Sequence, residues 1–265
     1  MNSTSHSEVT VNRITVGKTN AHQIIDQVAR EEPLEIRIGG KSIAITMRTP
    51  GNDRELAAGF LLAEGVVTRP DQIIEIAHCL SGDTSNNGNV LNVFLSPHVE
   101  FDLQKLTRHT FASSSCGVCG KATIESLRHT FSPVKDIGNF DLDLLAKLPD
   151  RMREAQSGFA QTGGLHAAAL FSLEGRLVVL YEDVGRHNAV DKVLGHALME
   201  GKLPLQEHIM LVSGRTSFEM VQKAWAGGIS LLASISAPSS LAVELAKEAN
   251  IVLVGFLRCN TFNLY

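Results

Sequence analysis

Cys116 and Cys119 stand three apart in the run Ser113-Ser114-Ser115-Cys116-Gly117-Val118-Cys119-Gly120-Lys121. Packed thiols sit among apolar side chains, whereas serines, glycines and a lysine surround these two, which is the frame of an accessible, reactive pair. Three chemistries use such a pair. A zinc half-site needs two further ligands, and the sequence holds no second C-x-x-C. The combination of His98-Val99-Glu100 with Cys116-Gly117-Val118-Cys119 resembles the H-x-E and P-C-x-x-C layout of zinc deaminases, with Ser115 where the proline belongs. A thioredoxin-like dithiol opens a helix directly after a strand, and Ala112 followed by three serines is a poor strand end. A carrier of sulfane sulfur needs a mobile thiolate, which the flanking glycines permit. Lys121 helps to ionise a thiol whose free pKa is ~8.5.

A second set of residues suits phosphate. Three apolar runs end in polar turns that open helices: Glu182-Asp183-Val184-Gly185-Arg186-His187-Asn188, Ser213-Gly214-Arg215-Thr216-Ser217, and Ser236-Ala237-Pro238-Ser239-Ser240. Helix starts present free N–H groups to anions, and Arg186 and Arg215 add forked cations. Ordinary capping competes with this reading, since Thr216-x-x-Glu219 also has the form of a capping box. His187 and Asp191, four apart, can face one another on a helix for structure or for catalysis. His166, in Thr162-Gly163-Gly164-Leu165-His166-Ala167, is ambiguous too, such a histidine being more often a satisfied core group than a base. Cys79 reads as a small buried hydrophobe. Cys259 follows the last core strand at the same rim as the turns and reads as structural or incidental.

The elements that must position these groups fall into two patterns. Strand-like Leu34-Ile38 and Val90-Leu95, with a helix over 53–63 between Pro50-Gly51 and Gly65, predict an N-terminal α+β unit over 1–107. Residues 108–121 read as a mobile loop bearing the cysteines. Over 122–265, the runs Leu177-Tyr181, Ile209-Val212, Ser230-Ile235 and Ile251-Phe256 alternate with amphipathic helices, one facing inward with Val190, Val193, Leu194, Ala197 and Leu198, another with Leu241, Ala242, Leu245, Ala246 and Ala249. That alternation predicts an α/β domain with a parallel-rich sheet, whose ligand crevice lies at the carboxyl ends of its strands.

With 265 residues, 44% of them hydrophobic, the chain can bury a full core. A formal charge of -4 without a basic stripe argues against nucleic-acid binding. The polar first twenty residues lack a signal-peptide core, and no segment reaches the ~18 apolar residues of a membrane helix, so a cytoplasmic protein is expected. Four cysteines at irregular spacing do not form a disulfide framework.

Motifs in order along nearly the whole chain resemble the formate dehydrogenase accessory sulfurtransferase family. They are Arg48-Thr49-Pro50-Gly51 with Glu55 to Phe60 and Glu64-Gly65; Cys116-Gly117-Val118-Cys119-Gly120; Thr162-Gly163-Gly164 with His166-Ala167-Ala168; Glu182 to His187 with Asp191-Lys192; Ser213-Gly214-Arg215 with Glu219-Met220; and Ala237-Pro238 with Leu241-Ala242-Val243. The resemblance implies a cytidine-deaminase-like layered α/β/α domain beside the smaller N-terminal unit, and a homodimer. It implies a sulfurtransferase that accepts sulfur from a cysteine desulfurase as a persulfide on Cys116, with Cys119 as partner. The acceptor would be a molybdenum or tungsten bis(pterin guanine dinucleotide) cofactor, mimicked by a guanine nucleotide, and the client formate dehydrogenase. Phe256, Leu257, Arg258, Cys259, Asn260 and Thr261 match the stretch associated with that cofactor. Ser213, Gly214, Arg215, Arg186 and His187 from the turns complete the expected docking site. The alternatives are a molybdenum-cofactor chaperone that moves no sulfur and a zinc-dependent deaminase.

Overall fold

Alternating burial along short β-branched runs builds the first sheet. The computed structural model describes residues 5–17, 22–79, 88–101 and 127–265. Strands β1 (His6–Arg13) and β2 (His22–Ala29) form an antiparallel ribbon. Then β3 (Glu32–Ile38), β4 (Lys41–Arg48), β5 (Ile73–His78) and β6 (Val90–Leu95) form a four-stranded sheet in the order β4-β3-β6-β5. Leu34, Ile36 and Ile38 point to one face of β3 together with Leu91 and Val93 of β6, as period-two alternation requires. Helix α1 (Asp53–Ala63) covers that face with Leu56, Leu61 and Leu62.

The second sheet has six strands in the order β12-β11-β10-β9-β7-β8. Its members are β7 (His166–Ser172), β8 (Leu177–Asp183), β9 (His208–Val212), β10 (Leu231–Ser234), β11 (Val252–Arg258) and β12 (Thr261–Leu264). Strands β9, β10 and β11 are parallel; β7 runs against β9, and β8 against β7, so β8 points the same way as the parallel three. The expected alternation is therefore present from β8 onward. Ala-rich β7, which breaks it, is inserted between β8 and β9.

Helices cover both faces. Helices α4 (Arg186–Met199), α5 (Phe218–Ala226) and α6 (Ser240–Ala249) pack on one side, where Val193, Val221 and Leu245 share a core with Leu170, Met210 and Leu253. Helix α2 (Leu142–Ala155) lays Leu145, Leu148 and Met152 on the other, against Ala169, Phe171, Leu211 and Leu257. Asp141 caps α2, its carboxylate accepting the N–H groups of Asp143 and Leu144. A short helix α3 (Ser157–Thr162) follows directly. Strands covered on both faces are apolar throughout, which is why all of Ile209–Val212 is buried. Among the described residues no helix is long and apolar enough to cross a membrane.

Helix α4 lies between the large sheet and α1, and it is buried nearly all round, Asp191 and Lys192 included. Its crossing with α1 is backbone on backbone. A Cβ on Gly195 would lie 1.8 Å from the Glu55 carbonyl oxygen, and one on Gly59 1.9 Å from that of Asp191. A single methyl at either position must push the helices apart. Gly195→Ala is expected to lower stability by at least about 1–3 kcal/mol, the ordinary cost of overpacking a core. An unchanged urea midpoint would contradict the crossing.

Candidate docking site at the strand ends

The last residue of β8, Asp183, is fully buried and carries a charge. Lys192, in the second turn of α4, places its ammonium 2.7 Å from Asp183 Oδ2 and donates further to the carbonyl oxygens of Thr49 and Glu182. Asp183 also accepts the backbone N–H groups of Thr49 (3.2 Å) and Gly185 (2.8 Å) and the Asn188 amide (2.9 Å). The Val184 N–H donates to Thr49 Oγ1. A buried pair of this kind survives its desolvation only when the remaining donors and acceptors are satisfied, and these are. The turn after β8 is thereby tied to the end of β4.

Two more pairs immobilise the surroundings. Lys223 of α5 donates to both oxygens of Asp191 at 2.7 and 2.9 Å. Burial raises the Asp191 carboxyl to about 6, with Lys223 pulling the other way. Arg48 grips Asp53 through two nitrogens at 2.9 and 3.1 Å. Motif residues that look catalytic by type are thus spent on architecture, and Asp191 faces Lys223 rather than His187.

The three polar turns converge as expected. Backbone bonds link Thr216 to Ala237 and Ser239, and Phe256 to Ser236. Because β7 is antiparallel, its first residue, His166, reaches the same edge. Ser213 Oγ accepts the Ala167 N–H at 2.9 Å and lies 3.4 Å from His166 Nδ1. Gly214 sits between Arg186 and His166: a Cβ there would approach Arg186 Cδ to 3.1 Å and His166 Nδ1 to 3.5 Å. Among the described residues Arg186 Nε is buried without a hydrogen-bond partner, as is Thr216 Oγ1, while Arg215 is exposed. A buried unpaired guanidinium nitrogen is costly, and an anion at this edge would satisfy it.

Burial, then Lys223, Arg186 and His166, hold His187 down to about 4, although Glu219 Oε2 lies 3.1 Å and Ser217 Oγ 3.3 Å from its Nε2. His166 is lowered as well, first by burial and then by Arg186. Glu219 therefore turns toward His187. No capping box forms, and Ser217 is the N-cap of α5 without a side-chain bond.

Beside this edge lies a cavity of about 550 Å³ that the sequence did not announce. Helices α2 and α3 wall it with Asp150, Met152, Arg153, Gln156 and Phe159, opposite His166, Ser213 and Ile235. Glu182 anchors that wall, accepting the N–H groups of Gly158 and Phe159 at 2.7 Å each. The Arg153 guanidinium stacks 4.0 Å above the Phe159 ring. The Asp141 cap and the 3.6-period spacing of Leu145, Leu148 and Met152 are the signals from which α2 could have been read.

The stretch Phe256–Thr261 forms the end of β11 and its turn into β12. Phe256, with φ +54°, is exposed, as are Arg258, Cys259, Asn260 and Thr261, but Leu257 packs in the core beneath α2. Cys259 is a free, exposed thiol 3.6 Å from the Asp150 carboxylate. Cys79 is only partly buried and accepts a hydrogen bond from Asn92, so it is not a plain hydrophobe. Cys116 and Cys119, with the loop assigned to 108–121, lie outside the described residues. Among the described residues no three of His, Cys, Asp and Glu gather as a metal site.

Comparison with known proteins gives a consistent answer. The model of the FdhD/NarQ family matches residues 29–265. The sulfur carrier protein FdhD of Streptomyces avermitilis is 52% identical over 249 residues, covering 91% of this chain and 87% of its own. That of Mycolicibacterium paratuberculosis is 47% identical, covering 100% and 97%, and that of Sulfurisphaera tokodaii 46%, covering 91% and 89%. A crystal structure described as a formate dehydrogenase accessory protein of Desulfotalea psychrophila superposes with a TM-score of 0.76 at 26% identity, covering 98% of this chain and 96% of that one.

Two outcomes follow from the geometry. Asp183→Ala strands the Lys192 ammonium and is expected to cost about 3–5 kcal/mol in a urea titration; a loss below about 1 kcal/mol would contradict the node. His187 should titrate by NMR near 4 rather than 6.5. Because its folded pKa is depressed, the stability it contributes is complete above about 6.5 and fades as pH falls toward 4. His187→Asn should erase that part of the acid loss, and a ring midpoint above 6 would contradict the assignment.

Proposed function

The chain belongs to the FdhD/NarQ family, and from that premise we propose that it carries sulfur, as a persulfide on Cys116, to a molybdenum or tungsten bis(pterin guanine dinucleotide) cofactor destined for formate dehydrogenase. The names of its relatives support sulfur carriage and the accessory role. The thiolate of Cys116 attacks the outer sulfur of a persulfide on a cysteine desulfurase. A new S–S bond forms on Cys116, the donor's S–S bond breaks, and the donor cysteine leaves as thiolate. Attack by the Cys119 thiolate on Cys116 Sγ then closes a disulfide and releases the outer sulfur as hydrosulfide to the metal. A cellular thiol restores the dithiol.

The observation that carries the acceptor's place is the strand-end crevice. Its Arg186 Nε lacks a partner among the described residues, Gly214 leaves room beside it, and Arg215 stands exposed at the same edge. Diphosphate groups supply the acceptors that such a nitrogen lacks. The stretch Phe256 to Thr261 meets this edge at two points, the Phe256 N–H bonding to the Ser236 carbonyl oxygen and the Cys259 thiol lying against Asp150 of the cavity wall, and we assign Phe256, Arg258, Cys259, Asn260 and Thr261 to the docking of the same acceptor. The order β8-β7-β9-β10-β11 with helices on both faces supports the cytidine-deaminase-like reading. A homodimer working in a reducing cytoplasm completes the proposal, since the free thiols must survive between turnovers.

Incubation with a cysteine desulfurase and cysteine labelled in its sulfur tests the first step. Label should appear on the wild-type protein, be released by dithiothreitol, and fall to background in Cys116→Ala. Equal labelling of Cys116→Ala would sink the assignment, and Cys116→Ala should also abolish formate dehydrogenase activity in cells.

A further inference from the structure

The two ends of the cavity beside the crevice differ in chemistry. At one end stand Ser213 and His166, with Arg186 just behind Gly214. At the other, helix α2 presents Asp150 next to the β11–β12 turn. Between them the lining is largely apolar, and the Arg153–Phe159 stack supplies a flat, stiff surface of the kind on which heteroaromatic rings settle. A volume of about 550 Å³ suits a nucleotide-sized group.

Asp150 is the unexplained residue of this lining. Among the described residues its carboxylate has no cation within salt-bridge distance, and its hydrogen-bond partner is the Cys259 thiol at 3.6 and 3.8 Å, a weak donor. Both oxygens keep free acceptor capacity beside the turn after β11, four strands along the sheet from the turn after β8 that bears Arg186. Arg153 on the same wall is laid flat over Phe159, whereas Arg186 Nε has no partner among the described residues, so a nucleotide diphosphate enters with its phosphates toward Arg186 and its base toward Asp150. An ionised carboxylate accepts and cannot donate. Guanine offers it two parallel donors, the ring N1–H and the exocyclic amine, whereas adenine offers a bare ring nitrogen that repels it.

We propose that Asp150 is the specificity-determining residue of the crevice, reading the N1–H and amino edge of a guanine-type base and rejecting adenine. The inference rests on the proposed dinucleotide acceptor and adds the group that selects its base. A matched pair of hydrogen bonds of this kind discriminates bases by roughly 10- to 100-fold.

Calorimetric titration of the full chain with GDP, ADP and xanthosine diphosphate tests it. Wild type should bind GDP roughly 10- to 100-fold more tightly than ADP. Asp150→Asn should lose that preference and gain affinity for xanthosine diphosphate, because the amide accepts from N1–H and donates to the new C2 carbonyl. Asp150 is exposed on the helix surface, and a thermal melt matching wild type confirms that the variant is folded. Equal binding of GDP and ADP by wild type, or a GDP preference unchanged in Asp150→Asn, overturns the role of Asp150 and leaves the sulfur-labelling result standing. Failure of all three nucleotides to bind overturns the acceptor reading and this one with it. The xanthine switch separates base reading from a general effect of removing one negative charge, which would move all three affinities together.

Discussion

One buried ion pair holds this molecule's functional edge in place. Asp183 and Lys192 are both sealed from solvent, and such a pair contributes little net stability once its desolvation is counted. Its value is geometric. Each Asp183 oxygen is assigned to named donors, and those donors belong to the end of β4, the turn after β8 and the first turn of α4. Thr49 completes the tie by bonding with its N–H, its hydroxyl and its carbonyl oxygen to this one node. The four-stranded sheet is thereby registered against the six-stranded one, and Arg186 leaves the node in a direction the backbone has already set.

The α1–α4 crossing works in the same sense. Helices whose backbones touch at Gly59 and Gly195 have no side chain between them to shift, so the rigid contact reaches from the smaller sheet to the helix that bears Lys192. Packed interiors transmit displacement rather than absorb it. The crevice is therefore positioned by groups that never face it, which is how Asp183, Lys192, Asp191 and Arg48 can stand in motifs without touching a ligand.

Much of this was legible in advance, for reasons tied to particular residues. The strands over Leu34-Ile38 and Val90-Leu95 and the helix over 53–63 have clean periodicities and clear Pro-Gly boundaries, and they appear at those places. The three turns could be expected to meet because a parallel arrangement puts its strand ends on one edge. Strand β7 escaped notice because Ala167, Ala168 and Ala169 carry little strand propensity, and only pairing on both sides makes them a strand. The partners of Asp183 and Lys192 escaped because Thr49 lies far from both in the chain, and local pattern holds no record of such pairing. The reading of Thr216-x-x-Glu219 as a cap failed for a related reason: His187, from a different helix, offers Glu219 a better partner than its own backbone. The cavity wall was missed because no helix was read over 142–162, where Pro149 and a largely polar surface mask the spacing of Leu145, Leu148 and Met152.

The distribution of charge decides what kind of site this is. The chain is acidic overall, yet the carboxylates around Arg186 are committed, Asp183 to Lys192, Asp191 to Lys223, and Glu182 to the start of α3, and the open one, Asp150, stands on the α2 wall beside the β11–β12 turn. Those buried lysines are cancelled in turn. Among the described residues, Arg186 and Arg215 have no carboxylate partner, so the local field is positive where the global one is not. The pKa values of the histidines beside them are lowered by burial first, then by Arg186 and, for His187, by Lys223, which suits them poorly to add charge and well to accept or donate single hydrogen bonds. A general acid–base centre would place a carboxylate against such a histidine with its pKa drawn toward neutrality; here His187 is driven the other way. The edge has the groups that suit a bound anion better than acid–base chemistry. In the proposed function the reactive step falls to Cys116 with Cys119, the pair whose neighbours in the sequence suit that task.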